Sequence, residues 1–147
     1  MRARGWTCAT AESCSAGLVG HIITMIAGSS DYYQGGVIAY SNRAKQELLG
    51  VPEEILRTHG AVSAACAEAM VRGICERSGS PCGLSITGIA GPDGGSAAKP
   101  VGTVFIGVAV AGEVVSRRFR FGGDRNSVKS QSAQMALDML RRRLGGV

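Results

Sequence analysis

Leu84-Ser85-Ile86-Thr87-Gly88-Ile89-Ala90-Gly91-Pro92-Asp93-Gly94-Gly95, followed by Lys99-Pro100-Val101-Gly102-Thr103, is the stretch that decides the fold. An apolar run, Leu84 to Ile86, stops abruptly in a loop dense in glycine, and a second apolar run, Val104 to Val110, resumes beyond it. Glycine has no Cβ, so such a loop bends tightly and lets a ligand approach bare backbone. A loop of this kind at a strand end is where α/β proteins bind small molecules. The stretch predicts a pocket.

Outward from that loop, the pattern alternates between two periods. Trp6 to Ala11 reads as a strand, and Leu18, Val19, Ile22, Ile23 and Ile26 recur at helical spacing, predicting a helix from Ser13 to about Ala27. Gly35 to Tyr40 reads as a strand, Asn42 to Leu49 as a short helix stopped by Gly50, and Pro52 to Thr58 as another. Ser63 caps a longer helix to about Ser78, and Leu84 to Thr87 is a third strand. Val101 to Ala111 and Glu113 to Phe121 form a hairpin across Ala111-Gly112, and Asp124 or Asn126 opens a closing helix. The order β-α-β-α-α-α-β-β-β-α predicts an α/β fold: one three-layer domain over 1–147, with a mixed sheet of about five strands and helices packed on it.

Composition narrows the classes. The chain has 147 residues, 45% hydrophobic and 18% charged, as in globular rather than fibrous or disordered proteins. No apolar run approaches the ~18 residues of a membrane-spanning helix, and no signal-peptide segment follows Met1 to Trp6, so a cytoplasmic protein without a membrane partner is expected. The five cysteines include no Cys-x-x-Cys pair and read as free thiols. With His21 and His59 outside any ligand-spaced motif, no metal is expected. The net charge of +5 gathers late, at Arg117, Arg118, Arg120, Arg125, Lys129 and Arg141 to Arg143. Aromatic interleaving is too thin for a single-strand binder, so these read as a solvated strand face and a helix end, and nucleic acid is not the expected partner. A basic balance suits an anionic small substrate.

Three segments hold candidate chemistry. Thr10-Ala11-Glu12-Ser13-Cys14-Ser15-Ala16-Gly17 lies where the first strand turns into the first helix. A serine there is either a nucleophile among backbone N–H groups at a helix's positive end, or simply an N-cap. Lys45 follows the second strand end, where it is either a surface lysine or a desolvated amine able to deprotonate Ser13, as in Ser-Lys hydrolases. His21 and His59 are not convincing bases, being at the wrong end of a helix and at a helix terminus. The glycine loop is neither a P-loop nor a dinucleotide fingerprint. Asp93 reads as a turn residue, and Thr87, Thr103 and Lys99 are polar candidates for substrate contact.

Taken in order, Thr10-Ala11-Glu12-Ser13-Cys14, Gly28-Ser29-Ser30, Tyr40-Ser41-Asn42-x-Ala44-Lys45, Leu49-Gly50-Val51, His59-Gly60-Ala61-Val62-Ser63, the Thr87–Gly95 loop, Lys99–Thr103 and Gly123-Asp124-Arg125 make the chain similar to the CinA C-terminal domain family over nearly its whole length. Characterised members of these competence/damage-inducible proteins are nicotinamide mononucleotide amidohydrolases. The resemblance implies hydrolysis of that carboxamide to nicotinate mononucleotide and ammonia, without metal or organic cofactor. It assigns a serine–lysine pair to Ser13 and Lys45. It gathers Tyr40, Asn42, Thr87, Gly88, Gly91 and Arg125 around the pyridine nucleotide, with Arg125 on the phosphate. Glu12, Ser15 and Thr103 complete the expected substrate-binding set. Members usually carry Thr-Gly-Gly where Ser15-Ala16-Gly17 stands, and a helix before the first strand, where this chain opens almost on the strand. The competing reading is a non-catalytic nucleotide-binding or competence-associated module that kept the pocket. A homodimer is the expected assembly.

Overall fold

A computed structural model describes residues 1–145. Five strands, β1 (Cys8–Glu12), β2 (Tyr33–Ile38), β3 (Cys82–Gly88), β4 (Thr103–Val110) and β5 (Glu113–Arg120), lie in the order β2-β1-β3-β4-β5. β1 runs parallel to β2 and β3, and the β3-β4 and β4-β5 pairs are antiparallel. Helices α1 (Leu18–Thr24), α2 (Asn42–Leu49), α3 (Glu53–His59), α4 (Ala64–Ser78) and α5 (Arg125–Arg143) cover the two faces. The element order expected from the sequence is the one observed.

The two faces differ in side-chain size. Toward α1 and α5, the sheet presents Leu84, Ile86, Val104, Ile106 and Val108, packed against Val19, Ile23, Val128, Ala136 and Leu140. Toward α4 it presents Ala9, Ala11 and Ala109, with Gly83, Ser85 and Gly107 among them, and Met70, Val71 and Ile74 pack down on that side. A Cβ on Gly83 would stand 2.5 Å from Cys75 Sγ, so this face requires small residues. Ser85 Oγ donates to the Ala67 carbonyl at 2.6 Å, joining β3 to α4 while satisfying its own buried hydroxyl.

Local chemistry sets the helix ends. Ser41 accepts from Ala44 N–H and Ser63 from Cys66 N–H, while Asp124 accepts from Ser127 N–H. Gly50 and Gly79 close α2 and α4 in the left-handed conformation. Ala111 and Gly112, with φ of 51° and 88°, form the tight turn expected between β4 and β5.

Several boundaries differ from expectation, most of all at the first helix. The first helix starts at Leu18 rather than Ser13, because Ala16 and Gly17 hold φ of 49° and 94° and break the helical path. It also ends at Thr24, before Ala27. β2 runs from Tyr33 to Ile38 rather than Gly35 to Tyr40, since beyond it the carbonyls of Ala39 and Tyr40 turn toward Lys45.

Candidate active site

β1 and β2 end side by side, and the segments that follow each bring one reactive group to the same place. Ser13 leaves β1 with its N–H donated to the Ile86 carbonyl at 2.9 Å, and its own carbonyl accepts from Ala16 N–H at 3.1 Å. Lys45 lies one turn into α2, which Ser41 caps. Its Nζ is 3.0 Å from Ser13 Oγ, 3.0 Å from the Ala39 carbonyl and 3.4 Å from the Tyr40 carbonyl. The three partners suit both protonation states: an ammonium donates to all three oxygens, and a neutral amine donates to the two carbonyls and turns its lone pair to the serine hydroxyl.

Burial favours the neutral one. Lys45 is only 2% exposed, and desolvation lowers its pKa from the ordinary 10.5. Cys66 and Cys14 would raise it as thiolates, but burial pushes both thiols up to about 11. At neutral pH they carry no charge to hold the ammonium form, and desolvation prevails.

Ser13 and Lys45 face a cavity of about 290 Å³. Cys14, Tyr40, Asn42, Thr87, Gly88, Gly91 and Arg125 line it too, as do Ala61, Val62 and Asp93. Arg125, the first residue of α5, spans its mouth, donating to the Gly91 carbonyl at 2.6 Å and to the Tyr40 hydroxyl at 2.9 Å. Among the described residues its guanidinium has no carboxylate partner, so its charge is available to an anion. Thr87 lines the cavity but commits its hydroxyl to the Ala61 carbonyl at 2.7 Å.

Three expected substrate contacts lie elsewhere. Glu12 is 2% exposed and turns away from the cavity, accepting from Ser15 Oγ at 2.7 Å, Gly17 N–H at 3.0 Å, Val19 N–H at 3.1 Å and Gly20 N–H at 3.0 Å. Ser15 is fully buried against that carboxylate. The positive end of α1, open in sequence to either a ligand or a plain cap, is therefore filled by the protein's own Glu12. Thr103 is also fully buried, and its hydroxyl donates to the Pro100 carbonyl at 2.6 Å inside the glycine-loop base. Lys99 reaches the His59 carbonyl at 2.9 Å and ties the loop to the end of α3.

The sequence reading gave no role to Ala61 and Val62. Their signal lay in His59-Gly60-Ala61-Val62-Ser63: Gly60 has φ 78° and ψ 169°, a conformation nearly confined to glycine, which turns the chain into the cavity wall. Among the described residues no group of His, Cys, Asp and Glu could hold a metal, and no helix is long and apolar enough to cross a membrane.

Comparison with known proteins gives a consistent answer. The CinA C-terminal domain model matches residues 1–144. A CinA-like protein of Syntrophotalea carbinolica is 50% identical over 97% of this chain and 35% of its own length. One from Geotalea daltonii is 52% identical over 95% of this chain and 34% of its own. The chain thus spans about a third of the length of the curated relatives it matches. Among solved structures, the competence damage-inducible protein A (ComA) of Klebsiella pneumoniae superposes with a TM-score of 0.94 at 35% identity, covering 98% of this chain and 89% of that one. The competence/damage inducible protein CihA of Agrobacterium tumefaciens gives 0.93 at 41%, covering 96% and 87%. The chain belongs to the CinA C-terminal domain family.

Proposed function

We propose that this chain is a serine–lysine amidohydrolase that converts nicotinamide mononucleotide to nicotinate mononucleotide and ammonia. The observation that carries the reading is the buried 3.0 Å contact between Lys45 Nζ and Ser13 Oγ at the edge of a cavity of ligand size. In the first step Ser13 Oγ attacks the carboxamide carbon while Lys45 Nζ takes the hydroxyl proton. The resulting ammonium returns that proton to the departing nitrogen, releasing ammonia and leaving an acyl ester on Ser13. Water, deprotonated by Lys45, then attacks the ester and frees the carboxylate and the hydroxyl.

Substrate charge supports the same assignment. The pyridinium ring is a fixed cation, and beside Lys45 it favours the neutral amine still further. The phosphate pairs with Arg125, whose planar fork of donors suits it. Oxyanion donors come from the backbone: Ser13 N–H is committed to Ile86 and Ile89 N–H to Thr103, which leaves Cys14, Ala90 and Gly91 as candidates.

The test is ammonia release from nicotinamide mononucleotide by the purified protein. Ser13→Ala and Lys45→Ala are each expected to lower kcat by about 10³-fold or more. Full activity in either variant refutes the dyad. Thermal stabilisation by the nucleotide without ammonia release would identify a binding module instead.

A further inference from the structure

We propose that Glu12 is a positioning residue: its buried carboxylate holds the Ser13–Gly17 turn in the conformation that presents Ser13 Oγ to Lys45. The proposal rests on the serine–lysine reading and adds to it a residue that never touches the substrate.

The turn is not one the chain adopts willingly. Ala16 and Gly17 hold successive positive φ values of 49° and 94°, and the alanine there meets its own Cβ against the backbone. Something must offset that strain, and Glu12 is the group in place to do it. Oε2 accepts from Ser15 Oγ, Gly17 N–H and Val19 N–H, and Oε1 accepts from Gly20 N–H. All three amides can only donate, so the arrangement needs acceptors on both oxygens. One residue thereby bonds to the middle and the far end of the turn and to the first helical turn beyond it. Glu12 is also the last residue of β1, paired with Ile38 on one side and Ile86 on the other, so the anchor itself does not move. Ser13 is its immediate neighbour. With its N–H on Ile86 and its carbonyl on Ala16, the direction of its side chain is fixed by the turn that Glu12 closes.

Glu12→Gln keeps the shape but sets an amide NH₂ against an N–H or hydroxyl donor. The readout that needs no assumption about substrate is the rate at which a fluorophosphonate probe labels Ser13, with fluoride displaced as the Oγ–phosphorus bond forms. Labelling by Glu12→Gln is expected to fall by about 10²-fold, the scale of a misplacement near 1 Å, and kcat for nicotinamide mononucleotide to fall in step with KM held within about two-fold. Ala16→Gly, which removes the φ strain, is expected to restore part of the labelling rate in the Glu12→Gln background.

An unchanged labelling rate in folded Glu12→Gln overturns the proposal, whether its Tm falls or its KM rises: the first marks a purely structural residue, the second a substrate contact. Should Glu12→Gln fail to fold, Ser15→Ala removes one of the four donors, and a labelling rate equal to wild type overturns the proposal there. Wild-type protein that labels but releases no ammonia defeats the amidase reading alone, and the variant comparison still decides the role of Glu12. Wild-type protein that does not label at all defeats both.

Discussion

A lysine amine kept from water disfavours folding, and among the described residues no carboxylate pairs with Lys45 to compensate it. Lys45→Met keeps the buried stem and removes the polar head. Its expected result is a Tm equal to or above wild type, with ammonia release lowered by about 10³-fold or more, measured by melting and by assay on the same preparation. The pH dependence has a defined sign. Unfolded, the amine titrates near 10.5, and folded it releases its proton at a lower pH. Between those two values the unfolded chain binds more protons, so this residue's contribution to stability grows as pH rises through the window. The value of kcat/KM is expected to climb as pH rises through the lowered folded pKa, to level off above it, and to lose that rise in Lys45→Met. Sequence placed Ser13 and Lys45 at neighbouring sheet ends but left each an ordinary alternative, an N-cap and a surface lysine, and it was the family resemblance that paired them. Glu12 was legible as a special residue but not in its role, since a carboxylate beside a nucleophile reads the same whether it meets a ligand or a helix end.

At the scale of the element, end signals were readable: Ser63 caps α4, Gly50 closes α2, and of the two starts open for α5 the structure takes Asp124, while the cap at Ser41 went unread. The start of α1 was not readable, because an alanine with φ of 49° has no signature in an apolar periodicity that runs on past it. β2 stops at Ile38 for a related reason: the next two carbonyls, of Ala39 and Tyr40, serve a side chain six and five positions away rather than a further strand. The α4 face yields a test of packing. Gly83→Val would drive methyl groups into Cys75 Sγ and Val71 Cγ2, which stand 2.5 and 3.1 Å from a Cβ at that site. A loss of about 2 kcal/mol or more in urea denaturation is expected. Gly83→Ser with wild-type stability would show that α4 can lift without cost, contrary to this account.

Across the whole molecule, the thiols govern alkaline behaviour. Burial pushes Cys8 up to about 12 and Cys14, Cys66 and Cys75 up to about 11, while unfolded thiols titrate near 9.0. Above that value the unfolded chain loses protons that the native one keeps, so stability falls with rising pH. Each such thiol contributes about 1.4 kcal/mol per pH unit at full separation. Melts from about pH 8 to about pH 10 are expected to show a reversible drop in Tm, and Cys66→Ala to flatten it. The layered architecture was legible from the order of periods alone. The destinations of the late arginines were not: Arg141 and Arg142 pair with Asp138, Arg143 reaches Glu113 across the fold, and Arg118 covers Phe105. The two Asp138 pairs are one helical turn long and local, but the Arg143 and Arg118 contacts depend on where strands and helices stack, which no local window contains.

The glycine, serine and alanine face that receives α4 has one more effect. Ala61 and Val62, the far jaw of the cleft, are strung on the chain just ahead of α4, and Thr87 laces that jaw to the sheet. The seam between helix and sheet therefore acts as a gauge: atoms that meet no ligand set the bore of the cleft. One added methyl in the seam would spread the jaws and slacken their hold on a small guest.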